Sequence, residues 1–341
     1  MNLRRFLFYI SLPYSIAILR PLQEAIRARR DEACWFVERV DPSALDPGEK
    51  VLSTVAEVKE YSPEAIFVPG NWAPDFFPGV KVQVFHACGV GKKGHFRIRG
   101  FFDLYCTHGP STTEPFEELA SEHGHFHVIE TGWPKNDPLF RRPADEVSAV
   151  RPRVLYAPTF SPSLGSAPTL CDTIDGLSQS GAWDWTVKFH SKMSPEWEAQ
   201  YLAIQGEHLH VSEEHDLVPL LHQADVVVSD TSSVIYEAVL ADVPVVTFRT
   251  AWPGAHLLDI SEPEDLEGAI AAALGRPKTL IQAARDLVAE MHPNTDGRAS
   301  ERVLEATDRL LAGELPPLKP KPLNLWRRFQ LRKLLGYYRF R

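Results

Sequence analysis

Cysteine is scarce in this chain, and what there is stands apart. Cys34, Cys88, Cys106 and Cys171 are widely spaced and form no C-x-x-C pair, which leaves no zinc-like cluster and fits a reducing cytosol. There is no D-x-D, which counts against a glycosyltransferase that holds its nucleotide through a metal on paired aspartates; no cofactor or divalent metal is indicated. No internal repeat or long low-complexity tract interrupts the chain. Long apolar runs are missing too. The opening MNLRRFLFYISLPYSIAILRPL imitates a signal peptide, but Pro13, Tyr14, Ser15 and Arg20 break it up, and it is too short and too polar to span a bilayer. It reads better as a strand over 6–10 and a crossover helix over 16–29. The excess of positive charge that a general nucleic-acid binder needs is also absent, since the formal net charge is -9,. That total hides an asymmetry: 319–341 holds eight Lys or Arg and no acid.

What is present is apolar residue, 44% of a 341-residue chain. This exceeds what one core accommodates, so two domains are expected. Short β-branched runs alternate with helical stretches, which predicts an α/β protein with mostly parallel sheets covered on both faces. Strands are expected over 34–37, 65–68, 80–85, 101–107 and 128–131, then over 153–156, 185–189, 209–211, 226–228 and 245–248. Helices are expected over 113–122, 170–179, 265–274, 279–291 and 299–311. The Pro- and charge-rich GWPKNDPLFRRPADE marks the boundary. The expected division is 1–143 as one Rossmann-like domain, 150–312 as a second, and 313–341 as a Pro-rich linker and basic tail.

The stretch ADVVVSDTSSVIYEAVLADVPVVTF organises the second half: a buried strand, a hydroxyl-rich turn, a helix and the next strand. Such a turn puts Asp230, Thr231, Ser232 and Ser233 at the carboxyl edge of a sheet beside free helix amides, where phosphate binds. The same hydroxyls could simply cap the helix. Upstream, the strand over 80–85 runs into His86 and the Gly-rich basic HACGVGKKGHFRIRG, where Gly89, Lys92 and Lys93 suit a phosphate-bearing substrate. A histidine packed at a strand end is the alternative for His86. The strand over 185–189 delivers His190, with Lys192 just beyond. Pro158 and Thr159 lie in the loop after the strand over 153–156, and Glu237 lies on the helix after the turn. His123, His125 and His127 alternate and would share one face of a strand, although Gly124 breaks the segment and no partner ligand is near.

Taken together, VFHACGVGKKG, VLYAPTF, VKFHSK, ADVVVSDTSSVIYEAVLADVPVV and DGRASERVLE resemble the CDP-glycerol glycerophosphotransferase family, which includes teichoic-acid primases and polymerases. The likeness covers most of 80–310. It departs where Ser161 and Pro162 follow Phe160, where Ala87 and Cys88 follow His86, and where His190 lacks an adjacent Pro. The resemblance implies a GT-B-like fold of two facing Rossmann-like domains with the active site between them. It implies transfer of glycerol phosphate from a CDP-alcohol to a lipid-linked or polymer hydroxyl, with release of CMP. His86 would be the general base on the acceptor, and His190 would donate to the transferring or leaving phosphate. Asp230, Thr231, Ser232 and Ser233 would hold the donor diphosphate. Pro158, Thr159, Lys192 and Glu237 are candidates for the nucleotide, and Gly89, Lys92 and Lys93 for the acceptor side. A nucleotide-sugar glycosyltransferase and a catalytically silent scaffold remain as alternatives.

The tail LNLWRRFQLRKLLGYYRFR gathers Leu325, Trp326, Phe329, Leu334, Leu335 and Tyr338 on a helical surface bordered by Arg and Lys,. This suits the interface of an anionic membrane, so the protein is expected in the cytoplasm, peripheral on the inner face of the cell membrane. A helix packed onto the acidic body is the other reading.

Overall fold

A computed structural model describes residues 3–86, 94–141, 150–214 and 216–338. The chain forms two compact units, Met1–Pro138 with Glu290–Arg341, and Leu139–Ala289. In chain order the first carries β1 (Arg5–Ile10), α1 (Ser15–Ala28), β2 (Glu32–Val37), α2 (Val55–Tyr61), β3 (Ala65–Val68), β4 (Val80–Gln83), β5 (Leu104–Thr107), α3 (Pro110–His123) and β6 (His127–Glu130). The chain leaves it within α4 (Asp137–Phe140). The second unit holds β7 (Arg153–Tyr156), α5 (Ala167–Gln179), β8 (Asp184–Val187), α6 (Pro195–Ala203), β9 (Leu209–Val211), α7 (Val218–Gln223), β10 (Val226–Ser229), α8 (Val234–Leu240), β11 (Val245–Phe248), β12 (Leu258–Ile260) and α9 (Leu266–Leu274). Within α10 (Lys278–Met291) the chain returns, and α11 (Ala299–Leu311) and α12 (Leu325–Leu334) complete the first unit.

Each unit is built on a six-stranded sheet, ordered β2-β1-β3-β4-β5-β6 in the first and β12-β11-β10-β7-β8-β9 in the second. All pairings are parallel. Covered on both faces, the strands read as near-continuous apolar runs: β3, β5, β10 and β11 are buried throughout,. Counted from β7, the second sheet has the order 3-2-1-4-5-6, and the direction of winding reverses between β7 and β10. In the first sheet the reversal lies between β1 and β3. Ligands bind at such reversals, outside the carboxyl ends of the strands.

Several expectations are corrected. The expected 150–312 domain does not close on itself, because Val303, Leu304 and Ala306 of α11 are buried in the core of the first unit among Phe6, Phe8 and Val82. The expected strand over 80–85 ends at Gln83. The break read at Gly124 is observed: His123 ends α3, Gly124 is its left-handed cap, and only His127 lies in β6, so the three histidines share no strand. Among the described residues, no helix is long and apolar enough to cross a membrane.

The tail packs. Leu331 is buried in the first unit's core with Phe77 and Phe102, Tyr337 stacks on Phe76, Arg332 pairs with Asp75 at 2.9 Å and Lys321 with Asp103 at 2.7 Å. Leu325, Trp326, Phe329, Leu334 and Tyr338 stay exposed. One face of the amphipathic helix is therefore satisfied by the protein itself and the other is not.

Candidate functional site

In the second unit, three loops leave the carboxyl ends of the adjacent strands β10, β7 and β8. Asp230 ties the first to the second. Its fully buried carboxylate accepts from the Thr159 amide at 2.9 Å, the Ser166 amide at 2.8 Å and the Ser166 hydroxyl at 2.8 Å. Ser166 is also bonded to the Tyr156 hydroxyl at 2.8 Å. Burial pushes the Asp230 carboxyl up from its ordinary value, and the hydrogen bonds from the loop oppose that rise,. Thr231, buried as well, accepts from the Ala251 amide at 2.9 Å. The expectation that Asp230 and Thr231 reach the donor diphosphate is thus corrected: both side chains are turned inward and hold the neighbouring loops in place.

Ser232 is half-buried and Ser233 exposed. The Ser232 hydroxyl meets the Val234 amide at 3.4 Å, and Ser233, at the cap position of α8, makes no side-chain cap bond. The bland capping role therefore accounts poorly for Ser233. Glu237 lies one turn further on, half-buried.

The loop after β7 then reaches the loop after β8. Pro158 is buried, Thr159 half-buried and Phe160 exposed. The Phe160 ring lies 4.5 Å from the His190 ring, and the Lys192 ammonium stands 5.6 Å from the centre of the same ring. His190 Nδ1 accepts from the Lys192 amide at 3.1 Å, which assigns the proton of the neutral ring to Nε2. Partial burial, then the charges of Lys192 and Lys188, hold the His190 pKa below its ordinary value. Near neutral pH, His190 thus presents an exposed ring with an Nε2–H donor.

In the first unit, His86 follows β4 and is exposed. Its Nδ1 lies 3.4 Å from the Pro69 carbonyl, after β3, and its ring 6.4 Å from that of Tyr14, after β1. It therefore stands at that sheet's winding reversal. The preceding Phe85 is held at φ 59°, a left-handed conformation costly for a bulky residue,. What offsets the strain is packing: Phe85 meets His95, His108 and Phe116, and its carbonyl accepts from Trp133 Nε1 at 3.4 Å. Trp133 is fixed in turn, its amide donating to His292 Nε2 at 2.8 Å. Burial lowers the His292 pKa to about 4 and holds His108 well below its usual value. Gly109 permits this closeness, because a Cβ there would lie 2.6 Å from the Met291 backbone. Gly89, Lys92 and Lys93 lie outside the described residues.

Phe160, Ser166, Trp133 and His292 escaped sequence reasoning as parts of the site. Phe160 stands inside the VLYAPTF motif, and the rest give no local signal, since Ser166 meets Asp230 across 64 residues and Trp133 meets His292 across 159.

Two doubly wound parallel-sheet units place the chain in the GT-B-like class of α/β protein. Within that class, residues 103–254 match the sequence model of the CDP-glycerol:poly(glycerophosphate) glycerophosphotransferase family. The resemblance carried by the motifs is thereby shown over a span that includes His190 and the 230–233 turn and excludes His86. Solved structures agree in fold. The wall teichoic acid polymerase TagF matches with a TM-score of 0.64 at 15% identity over 92% of this chain and 90% of that one. A histidine-to-asparagine variant of TagF soaked with CDPG matches with a TM-score of 0.63 at 15% identity, over 92% and 90%. The UDP-GlcNAc 2-epimerase of Neisseria meningitidis bound to UDP-GlcNAc gives 0.62 at 13%, over 89% and 100%. No match was found among the curated proteins.

Proposed function

We propose that this protein transfers glycerol phosphate, or a related polyol phosphate, from a CDP-alcohol to a hydroxyl of a lipid-linked or polymer acceptor in cell-envelope polymer synthesis, releasing CMP. The observation that carries the reading is the grouping of His190, Phe160, Ser232 and Ser233 on adjoining loops at the winding reversal of the second sheet, inside the span of the family match. In the reaction, the acceptor oxygen attacks the phosphorus that bears the polyol and the bond to the CMP oxygen breaks. His86 takes the proton from the attacking hydroxyl. His190 donates from Nε2 to the phosphate on which charge accumulates, a role that suits a neutral ring with its proton on that nitrogen. Ser232 and Ser233 hold the diphosphate, with Asp230 and Thr231 fixing the loops around them. The exposed basic and aromatic face of α12 rests on the cytoplasmic leaflet, where lipid-linked acceptors are reached.

The test is release of nucleotide by purified protein from a panel of CDP-alcohols and sugar nucleotides. CMP from CDP-glycerol or a CDP-polyol is expected, and His86→Ala and His190→Ala should each lower the rate about 100-fold to 10,000-fold. UDP or GDP released from a sugar nucleotide would assign a glycosyltransferase, and nucleotide binding without turnover a scaffold.

A further inference from the structure

The loop after β4 and the first turn of α12 are stitched together by one residue. Asn324, itself left-handed at φ 49°, donates from Nδ2 to the Arg99 carbonyl at 2.6 Å and accepts at Oδ1 from Arg327 at 3.0 Å. The Arg97 carbonyl is held by Asn71 at 2.9 Å, and the Arg99 guanidinium lies 4.5 Å over the ring of Trp72. Three arginines are thus fixed near one another. Burial and then the positive charges of Arg97 and Arg327 hold the Arg99 pKa below its ordinary value. Among the described residues no carboxylate is paired with any of the three. The nearby acids are engaged elsewhere: Asp75 with Arg332 and Arg328, Asp103 with Lys321.

Clustered arginines with no carboxylate paired to them fit phosphate, which guanidinium groups can bind with paired hydrogen bonds. The neighbours say where that phosphate resides. Leu323, Leu325 and Trp326 flank the cluster and are 71%, 70% and 70% exposed, an arrangement that a soluble anion does not require and a headgroup layer does. We propose that Arg97, Arg99 and Arg327 form a binding site for the phosphate of an anionic membrane lipid, with Leu323, Leu325 and Trp326 entering the headgroup layer beside it. This rests on the reading of α12 as a membrane-facing element and gives it a headgroup site that includes a loop outside the tail.

Cosedimentation of the full chain with phosphatidylcholine vesicles, with and without phosphatidylglycerol, tests it. The protein should partition onto the anionic vesicles, and Arg97→Gln/Arg99→Gln should weaken partitioning about thirty-fold, roughly five-fold for each basic residue lost near the surface. Arg97→Gln alone, at an exposed position, should give part of that loss, which guards against a folding defect at Arg99. Arg30→Gln/Arg285→Gln, which removes the same charge elsewhere, should bind as the unaltered protein does. An equal loss in that control would make the effect one of bulk charge and overturn the site. Undiminished binding of the Arg97→Gln/Arg99→Gln variant would overturn the site and leave the membrane reading of α12 standing. Failure of the unaltered protein to bind anionic vesicles would overturn both. Without vesicles, a saturable tryptophan-fluorescence response to inorganic phosphate that disappears in the double variant would assign the site to a soluble anion, against the proposal.

Discussion

Replacing Asp230 separates a ligand contact from a loop anchor. Its carboxylate accepts three hydrogen bonds from Thr159 and Ser166 in a fully buried position. In Asp230→Ala the two amides and the hydroxyl lose their acceptor. Each bond to an ionised group contributes about 1.5–3 kcal/mol, and each buried donor left unmade costs about 1–3 kcal/mol. Part of this is returned, because the variant no longer buries an ion; the raised pKa of Asp230 shows that burial outweighs the bonds. A net loss of about 3–5 kcal/mol is expected, comparable to breaking a buried charged pair. Asp230→Asn keeps an oxygen for Ser166 and turns an amide group toward the Thr159 N–H, so its loss should be smaller, about 1–2 kcal/mol. Urea unfolding gives the stability, limited proteolysis reports release of the 157–166 loop, and calorimetry with a nucleoside diphosphate gives affinity. All three should move together, with cleavage appearing near Phe160. If Asp230→Ala unfolds at the original urea concentration and loses only affinity, the carboxylate is a ligand contact and the reasoning fails.

Ser232→Ala/Ser233→Ala should do the reverse, lowering nucleoside-diphosphate affinity by calorimetry while costing at most about 1 kcal/mol of stability, as an N-cap loss would; unchanged affinity returns both serines to structural roles. His292, neutral when folded with a pKa of about 4 against 6.5 unfolded, makes the unfolded chain bind more protons between those values. Stability of the first unit is therefore full above pH 6.5 and falls by roughly 3 kcal/mol as pH drops toward 4. His108 acts in the same direction, and His292→Gln, measured by urea unfolding across that range, should flatten the slope by its own share. Leu331→Ala should cost about 2–4 kcal/mol in thermal or urea unfolding, since that side chain is 2% exposed in the core,; no measurable cost would mean that α12 is not held there.

Much of the sheet architecture is legible because parallel strands are buried on both faces and so need no alternating pattern. AIFV, RVLY, LHV and VVTF fall at their observed places, β3, β7, β9 and β11. The strand LDI does not, being three residues long with Asp259 at its centre bonded to Thr247 at 2.8 Å. The expected strand to Phe85 fails because the backbone turns left-handed there, a conformation no apolar pattern encodes. At the site, strand ends legibly deliver His86 and His190, whereas the burial of Asp230 is decided by Ser166 and cannot be read from the SDTSS turn. The tail shows the same limit. Its two-faced composition is plain in LNLWRRFQLRKLL, but which face meets protein depends on Asp75, Phe76 and Phe77, far away in sequence.

The return of the chain after Ala289 bears on how the protein is made. The second unit is one uninterrupted stretch, Leu139–Ala289, and has all its strands once that stretch has left the ribosome. The first unit begins earlier and finishes later. Until α11 and α12 emerge, Phe6, Phe8 and Val82 lack Val303 and Leu304, and Phe77 lacks Leu331. The usual order, in which the amino-terminal domain folds first during synthesis, is inverted, and the nascent amino-terminal sheet exposes apolar surface until α11 and α12 have been made. A premature stop or a stalled ribosome between Glu290 and the end of α12 would therefore leave the second unit complete and the first unsealed, a half-finished product that chaperones would bind and proteases would remove,.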